Sequence, residues 1–288
     1  MGLFSGFFNY DKEGPGVDKN APKKKRFFLF FEYYFKNFWK LATVSVSYWI
    51  LTLLVIPSGL AAAGMTNVTR NMAVDTHSFG TSDFFETIKK NWKQALPAGI
   101  INMLILGILA FDVWFFYNNI SGIMYSVFMS VVFVVFLLFS IIRYYLWSII
   151  ITFKLPLKSA YKNSFKFAFI GLKHNLSILA GLALFYAACM GIALINVPIT
   201  DFILLIILLF VYPGFRFLLI QFNSFENIKE YMIIPYYKDH PDDDLELRRR
   251  LGILETENED TDNDDTDEDD NFGESEIDET IFKDIDVE

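Results

Sequence analysis

Residues 55–73 read VIPSGLAAAGMTNVTRNMA and end an apolar run that begins near Leu41. Pro57 removes a helical hydrogen-bond donor, and Gly59 tolerates backbone angles that other residues avoid, so this stretch predicts an interrupted helix. The interruption decides the fold, because the chain either crosses a membrane here or turns back to the side from which it entered.

The composition of the whole chain is typical of a helical membrane protein. Of its 288 residues, 53% are hydrophobic and 18% are aromatic, which is more apolar surface than a soluble core of this size buries. About 20 apolar residues of helix cross a bilayer. The sequence therefore predicts an all-α, polytopic membrane protein with about five transmembrane helices. They correspond to five runs with at most one charged residue each, namely residues 41–69, 95–117, 120–142, 175–200 and 202–225.

Charge divides the chain into three predicted parts. Residues 1–26 form a basic N-terminal segment, residues 27–238 a helical membrane domain, and residues 239–288 an acidic tail. The net charge is -19 in the tail and +10 in the rest of the chain. Such a dense acidic block predicts disorder, and we expect deletion of residues 255–288 to leave membrane insertion unchanged.

The connections between the apolar runs predict the orientation in the membrane. Basic residues collect on the cytoplasmic side of membrane proteins. Here two long connections between the apolar runs contain basic residues, namely Arg70, Lys89, Lys90 and Lys93 in one, and Lys154, Lys158, Lys162, Lys166 and Lys173 in the other. Both can be cytoplasmic only if the first apolar run returns to its side of entry. A re-entrant or hairpin break from Pro57 to Gly59 is therefore favoured over one tilted span, and both termini are expected in the cytoplasm.

Charged residues within or beside the apolar runs are candidates for function, as in ion or proton pathways. Asp112 and Asp201 are expected near the outer ends of their helices, and Arg143 and Arg216 near the inner ends. There the arginines can extend to water, which is the structural alternative to a transport role. Together with the break residues, the candidate set is Pro57, Gly59, Asp112, Arg143 and Arg216.

No catalytic or cofactor motif is present. The three histidines lack metal-ligand spacing, and neither a nucleophile elbow nor a phosphate-binding loop occurs. The single cysteine, Cys189, is expected to be a buried, inert thiol. We therefore expect no enzymatic activity, no cofactor, no metal and no nucleic-acid partner.

Several short motifs, in their order and spacing, resemble a known family. They are MGLFSGFFNYDKEGPGVDKNAPKKKRFFLFFEYYFKNFWKL, IPSGLAAAGMTNVTRNMA, SDFFETIKKNWKQA, YYLWSIIITFKLPLKSAYKNSF and PYYKDHPDDD. Over residues 1–252 the chain is similar to the YesL-like (DUF624) family of uncharacterised bacterial membrane proteins. The resemblance implies a multi-pass protein of the bacterial plasma membrane that functions near carbohydrate uptake systems, and it implies no catalytic residues.

Two functions from different classes follow. The first is a non-enzymatic accessory or regulatory protein that binds a sugar transporter complex or a second copy of itself in the lipid bilayer. The second is a small transporter or channel, which requires Asp112, Arg143 and Arg216 to face one water-filled cavity. The position of these three side chains distinguishes the two.

Overall fold

The computed structural model describes residues 25–153, 155–195 and 197–239, and these residues are almost entirely helical, with no β-strand among them. Most of the predicted basic N-terminal segment and nearly all of the acidic tail lie outside the described residues. The helices are α1 (Arg26–Lys36), α2 (Phe38–Leu53), α3 (Ser58–Ala73), α4 (Thr81–Asn119), α5 (Gly122–Thr152), α6 (Leu157–Ile170), α7 (Leu172–Ala193), α8 (Pro198–Ile206), α9 (Tyr212–Ile228) and α10 (Ile234–Asp239). Two π-helical segments, Ile207–Val211 and Lys229–Ile233, join α8, α9 and α10.

Four helical stretches of the described chain are long and apolar enough to cross a membrane: Thr81–Asn119, Gly122–Thr152, Leu172–Ala193 and Pro198–Tyr237. Large apolar side chains such as Phe133 on α5 and Phe202 on α8 are exposed on their outer faces, as expected where lipid covers the protein. The predicted all-α, polytopic membrane fold is confirmed. The first apolar run differs from the other four, because it is divided between the two shorter helices α2 and α3.

The first apolar run forms a helical hairpin. Lys36 Nζ lies 2.6 Å from Asp75 Oδ1, and Lys40 Nζ donates to the Ser78 carbonyl oxygen at 2.9 Å. The hydrogen bond to Asp75 and the charge of Asp75 raise the pKa of Lys36. These contacts hold the start of α2 beside the end of α3, so the chain returns to its side of entry.

The turn of the hairpin combines two backbone features. Val55 has a φ of 65°, a conformation that is costly for a β-branched residue, and Pro57 immediately precedes the first residue of α3. Helices α2 and α3 have 16 residues each, or about 24 Å of helix, which is less than the roughly 30 Å of a bilayer core. The hairpin is therefore re-entrant.

Helix α3 lies at the centre of the molecule. It contacts α2, α4, α5 and α9, and most of its residues are buried, including Ala61, Ala63, Met65 and Val68. A re-entrant arm needs such cover, because its backbone ends have no water to bind within the membrane. Small side chains on α3 allow the surrounding helices to approach closely.

The basic connections meet at one end of the molecule, which we call the basic end (residues 36–40, 75–93 and 155–174). Arg70 Nη1 donates to Thr152 Oγ1 at 2.8 Å, Gln94 Nε2 donates to the Leu155 carbonyl oxygen at 3.2 Å, and Arg26 pairs with Glu226. The two short connections, α4 to α5 and α7 to α8, lie at the opposite end. The arrangement is the one that the lysine distribution predicts.

The last crossing helix is irregular beside the hairpin. The Tyr212 N–H bonds to the Ile207 carbonyl in π-helical spacing, and continuation of this spacing would pair the Leu208 carbonyl with Pro213, which has no N–H. Trp49 Nε1 donates to the Leu208 carbonyl oxygen instead, at 3.1 Å. The irregularity before Pro213 is thus a π-helical segment whose Leu208 carbonyl binds the hairpin.

Candidate functional site

A cavity of about 240 Å³ lies between the re-entrant hairpin and helices α4, α5 and α9. Each helix contributes small or polar side chains to it, and no aspartate or glutamate is among the lining residues of this described region. The lining residues are Tyr48, Thr52, Ser58, Gly59, Ala62, Thr66, Gly99, Asn102, Met103, Leu106, Arg143, Tyr144, Trp147, Arg216, Phe217, Ile220 and Gln221.

Arg143 on α5 and Arg216 on α9 both line this cavity. The structure thus places them on an interior wall, whereas the sequence favoured side chains that extend to water. Among the described residues neither guanidinium has a hydrogen-bond acceptor or an acidic partner, and Arg143 Nε is buried without one. The Arg216 guanidinium carbon lies 5.5 Å from the ring centroid of Phe217, a contact that supports the cation without neutralising it.

Asn102 and Thr52 add further hydrogen-bonding groups to the cavity. Tyr161 Oη donates to Asn102 Oδ1 at 3.0 Å, which fixes the amide, while Asn102 Nδ2 has no partner within the described chain. The hydroxyl of Thr52 is likewise buried without a partner there. These groups all carry N–H or O–H donors.

Gln221 on α9 is held in place from α5. Ser148 Oγ donates to Gln221 Oε1 at 2.8 Å, and both side chains are buried. The hydrogen bond leaves the Gln221 amide nitrogen available for the cavity, which Gln221 lines.

The two break residues have distinct positions. Gly59 lines the cavity and lies against Gly99 of α4, where an added Cβ would come within 2.6 Å of Gly99 Cα. Pro57 caps α3 at the turn and is not among the lining residues. Of this pair, only Gly59 is part of the cavity wall.

Asp112 lies apart from the two arginines. It is on α4 beyond Leu106, toward the C-terminal end of the helix, and does not line the cavity. The neighbouring space between α4 and α5 is lined by apolar side chains alone: Leu106, Leu109, Ala110, Val113, Met129, Val132, Phe133 and Phe136. The polar part of the cavity therefore ends at Leu106.

Asn102, Gln221 and Tyr48 were not predicted as site residues. Asn102 and Gln221 do have a sequence signal, because each is an uncharged polar residue within an apolar run, and such residues usually face other helices. Tyr48 has no comparable signal, since aromatic residues occur throughout the chain. No group of three or more potential metal ligands occurs within the described ranges.

Comparison with known proteins gives a single relationship. No curated protein and no solved structure matches the chain. Residues 41–113 match the model of a family described as "Protein of unknown function, DUF624", a shorter stretch than the resemblance over residues 1–252 suggested. The matched residues include most of α2, all of α3 and the cavity-lining part of α4. Over the re-entrant hairpin and most of the first crossing helix, this chain is therefore similar to the DUF624 family of proteins of unknown function.

Proposed function

We propose that this integral membrane protein is a non-enzymatic accessory or regulatory subunit of a carbohydrate transport system. It would lie in a bacterial plasma membrane with both termini in the cytoplasm. The observation that carries the proposal is the end of the polar cavity at Leu106, beyond which only apolar side chains line the space between α4 and α5. A polar solute has no hydrogen-bonding path through the space between α4 and α5.

The surface at the basic end supports a role in binding a partner. The first part of α4, before its apolar run, exposes Phe85 and Trp92 together with Lys89 and Lys93. Exposed aromatic side chains interspersed with lysines suit the headgroup layer of an anionic leaflet or a partner subunit beside it. The link to carbohydrate transport rests on the resemblance to the YesL-like family.

Photocrosslinking in living cells tests the proposal. A photoreactive amino acid at Trp92 or Lys89 should crosslink to the membrane subunit of a sugar transporter. The same amino acid at Val134, which is 61% exposed on α5, serves as the lipid-facing control and should give no such product. Crosslinks only to a second copy of the chain would favour self-association. An absence of any protein product, with sugar uptake unchanged in a deletion strain, would contradict the proposal.

A second candidate function is transport by the protein itself. It is favoured by one observation, the common cavity of Arg143 and Arg216. Purified protein in liposomes decides between the two functions, because an accessory subunit alone should give no solute flux above that of empty liposomes. Flux that is lost in Arg216→Gln would replace the accessory role with a transport role.

A further inference from the structure

Two arginines without a counter-ion share one cavity within the membrane-embedded part of the molecule. Arg143 and Arg216 line the same cavity, and no acidic side chain lines it with them. A charged group away from bulk water is costly unless it is paired, and two like charges increase the cost. The presence of both arginines in this position is consistent with a negatively charged ligand.

The other polar groups of the cavity also favour a negatively charged ligand, because they are hydrogen-bond donors without acceptors. Arg143 Nε and Asn102 Nδ2 are N–H donors, and each is buried without an acceptor among the residues that the structure describes. The Thr52 hydroxyl adds an O–H donor in the same state. Buried donors of native proteins are nearly always bonded to protein, water or a ligand. Water can accept these hydrogen bonds, but it cannot neutralise two guanidinium charges.

From these contacts we infer that the cavity is a binding site for a phosphomonoester group, held by Arg143, Arg216 and Asn102. A phosphomonoester carries a charge of about -1.5 to -2 and three strong acceptor oxygens, which matches two arginines, whereas a carboxylate would leave one positive charge unpaired. Guanidinium groups bind such oxygens in pairs. The cavity of about 240 Å³ is several times the roughly 30 Å³ that one water occupies in the liquid.

The phosphomonoester can belong to a lipid or to a soluble molecule. Met103, which lines the cavity, is 47% exposed on α4, and Thr52 lies near the turn of the hairpin, so the cavity borders the lipid-facing surface. Phosphatidic acid reaches this surface through the inner leaflet. A soluble phosphate would enter the same cavity from an aqueous phase. Both sources present the same chemical group.

Binding of two probes to the intact protein tests the inference. Inorganic phosphate is titrated into protein in a neutral detergent, with chloride at equal ionic strength as the reference, and thermal unfolding and equilibrium dialysis are measured. In parallel, protein in nanodiscs of phosphatidylcholine with or without phosphatidic acid is examined by native mass spectrometry. The variants are Arg143→Gln and Arg216→Gln, with Arg26→Gln, on the surface and outside the cavity, as the control.

The expected result is binding of at least one probe to the unmodified protein and to Arg26→Gln. Arg143→Gln and Arg216→Gln should weaken that binding by roughly 10-fold to 100-fold, as expected for the loss of charged hydrogen bonds. Arg143→Lys, which keeps the charge, should bind with intermediate strength. A response to phosphate assigns a soluble ligand, and retention of phosphatidic acid alone assigns the lipid.

The stability of the variants separates loss of binding from loss of fold. Without ligand, removal of one of the two positive charges that line the cavity without an acidic partner should leave the unfolding temperature unchanged or raise it. The inference is overturned if neither probe binds more strongly than chloride or phosphatidylcholine. It is equally overturned if both glutamine variants bind the probes as well as the unmodified protein does.

Discussion

Gly59 on α3 and Gly99 on α4 lie against each other with their backbones in close approach. A Cβ on either glycine would meet the backbone of the other helix, which cannot rotate away as a side chain can. This contact sets the distance between the re-entrant arm and the first crossing helix. It also brings Asn102, one turn farther along α4, to the cavity that Gly59 lines.

Replacement of Gly59 by alanine should therefore destabilise the protein. We expect Gly59→Ala to lower the free energy of unfolding by about 1–3 kcal/mol through overpacking, measured as a lower unfolding temperature in detergent. Gly107→Ala is the matched control, because Gly107 is also on α4 and a Cβ there meets nothing within 4 Å. Equal unfolding temperatures for the two variants would contradict the importance of this contact.

The indole of Trp49 is predicted to stabilise the π-helical segment that precedes Pro213. Trp49→Phe removes the donor to the Leu208 carbonyl and should cost about 1 kcal/mol. Trp39→Phe is the control, since Trp39 is 81% exposed. In a Pro213→Ala background the new backbone N–H can reach the Leu208 carbonyl, so Trp49→Phe should cost less there. An unchanged cost in that background would refute the explanation.

At the scale of the element, the hairpin of α2 and α3 is the unit on which the topology depends. Its open end is held by Lys36 with Asp75 and by Lys40 with Ser78, while its turn contains Val55 and Pro57. Neither helix is long enough to cross alone. The break therefore determines whether 16-residue arms or one long helix enters the bilayer.

Removal of the break should change the topology. With Pro57, Ser58 and Gly59 replaced by leucines, residues 41–69 can form one helix of about 43 Å, since proline costs about 3 kcal/mol and glycine about 1 kcal/mol within a helix. A cysteine at Lys89, in a background with Cys189 replaced by serine, should then be labelled from outside in part of the population. Reduced accumulation from degradation of misinserted protein is also expected.

The single variant Gly59→Leu separates the topology from the packing of the hairpin. It disturbs the contact with α4 but keeps Pro57 at the turn, so the cysteine at Lys89 should stay cytoplasmic in it. If the triple variant also accumulates normally with label from the cytoplasm alone, the break is not the determinant of topology.

At the scale of the whole molecule, four crossing helices and one re-entrant hairpin place all the basic connections at one end. Contacts such as Arg70 with Thr152 and Gln94 with Leu155 join these connections to each other. With a hairpin that returns to its side of entry, the two long basic connections lie on the same side of the membrane, as the positive-inside rule requires. A single tilted span in place of the hairpin would place both long basic connections on the side opposite to the basic N-terminal segment.

This arrangement predicts the accessibility of three positions. Cysteines at Lys89 and Lys162 should react with a membrane-impermeant reagent only after the cytoplasmic side is opened, and a cysteine at Asn119 should react in intact cells. External reactivity of Lys89→Cys or Lys162→Cys would restore the single-span topology. Labelling of the cysteine at Asn119 only from the cytoplasmic side would contradict the proposed orientation of the whole molecule.

The sequence by itself determined the membrane class, the apolar runs, the break at Pro57 and the gathering of basic residues at one end. These properties depend on composition along the chain, because the bilayer acts on each segment according to its hydropathy and on each connection according to its charge. The sequence also showed that Arg143 and Arg216 lie within or beside apolar runs.

Only the tertiary structure decided which way those side chains face. In a soluble helix the polar face marks the outside, but lipid is as apolar as a protein core, so an apolar helix gives no such signal around its axis. The packing of α3 between α2, α4, α5 and α9 turned Arg143 and Arg216 toward one cavity and left Asp112 outside it. That packing depends on close contacts between distant residues, such as Gly59 with Gly99, which local hydropathy does not encode.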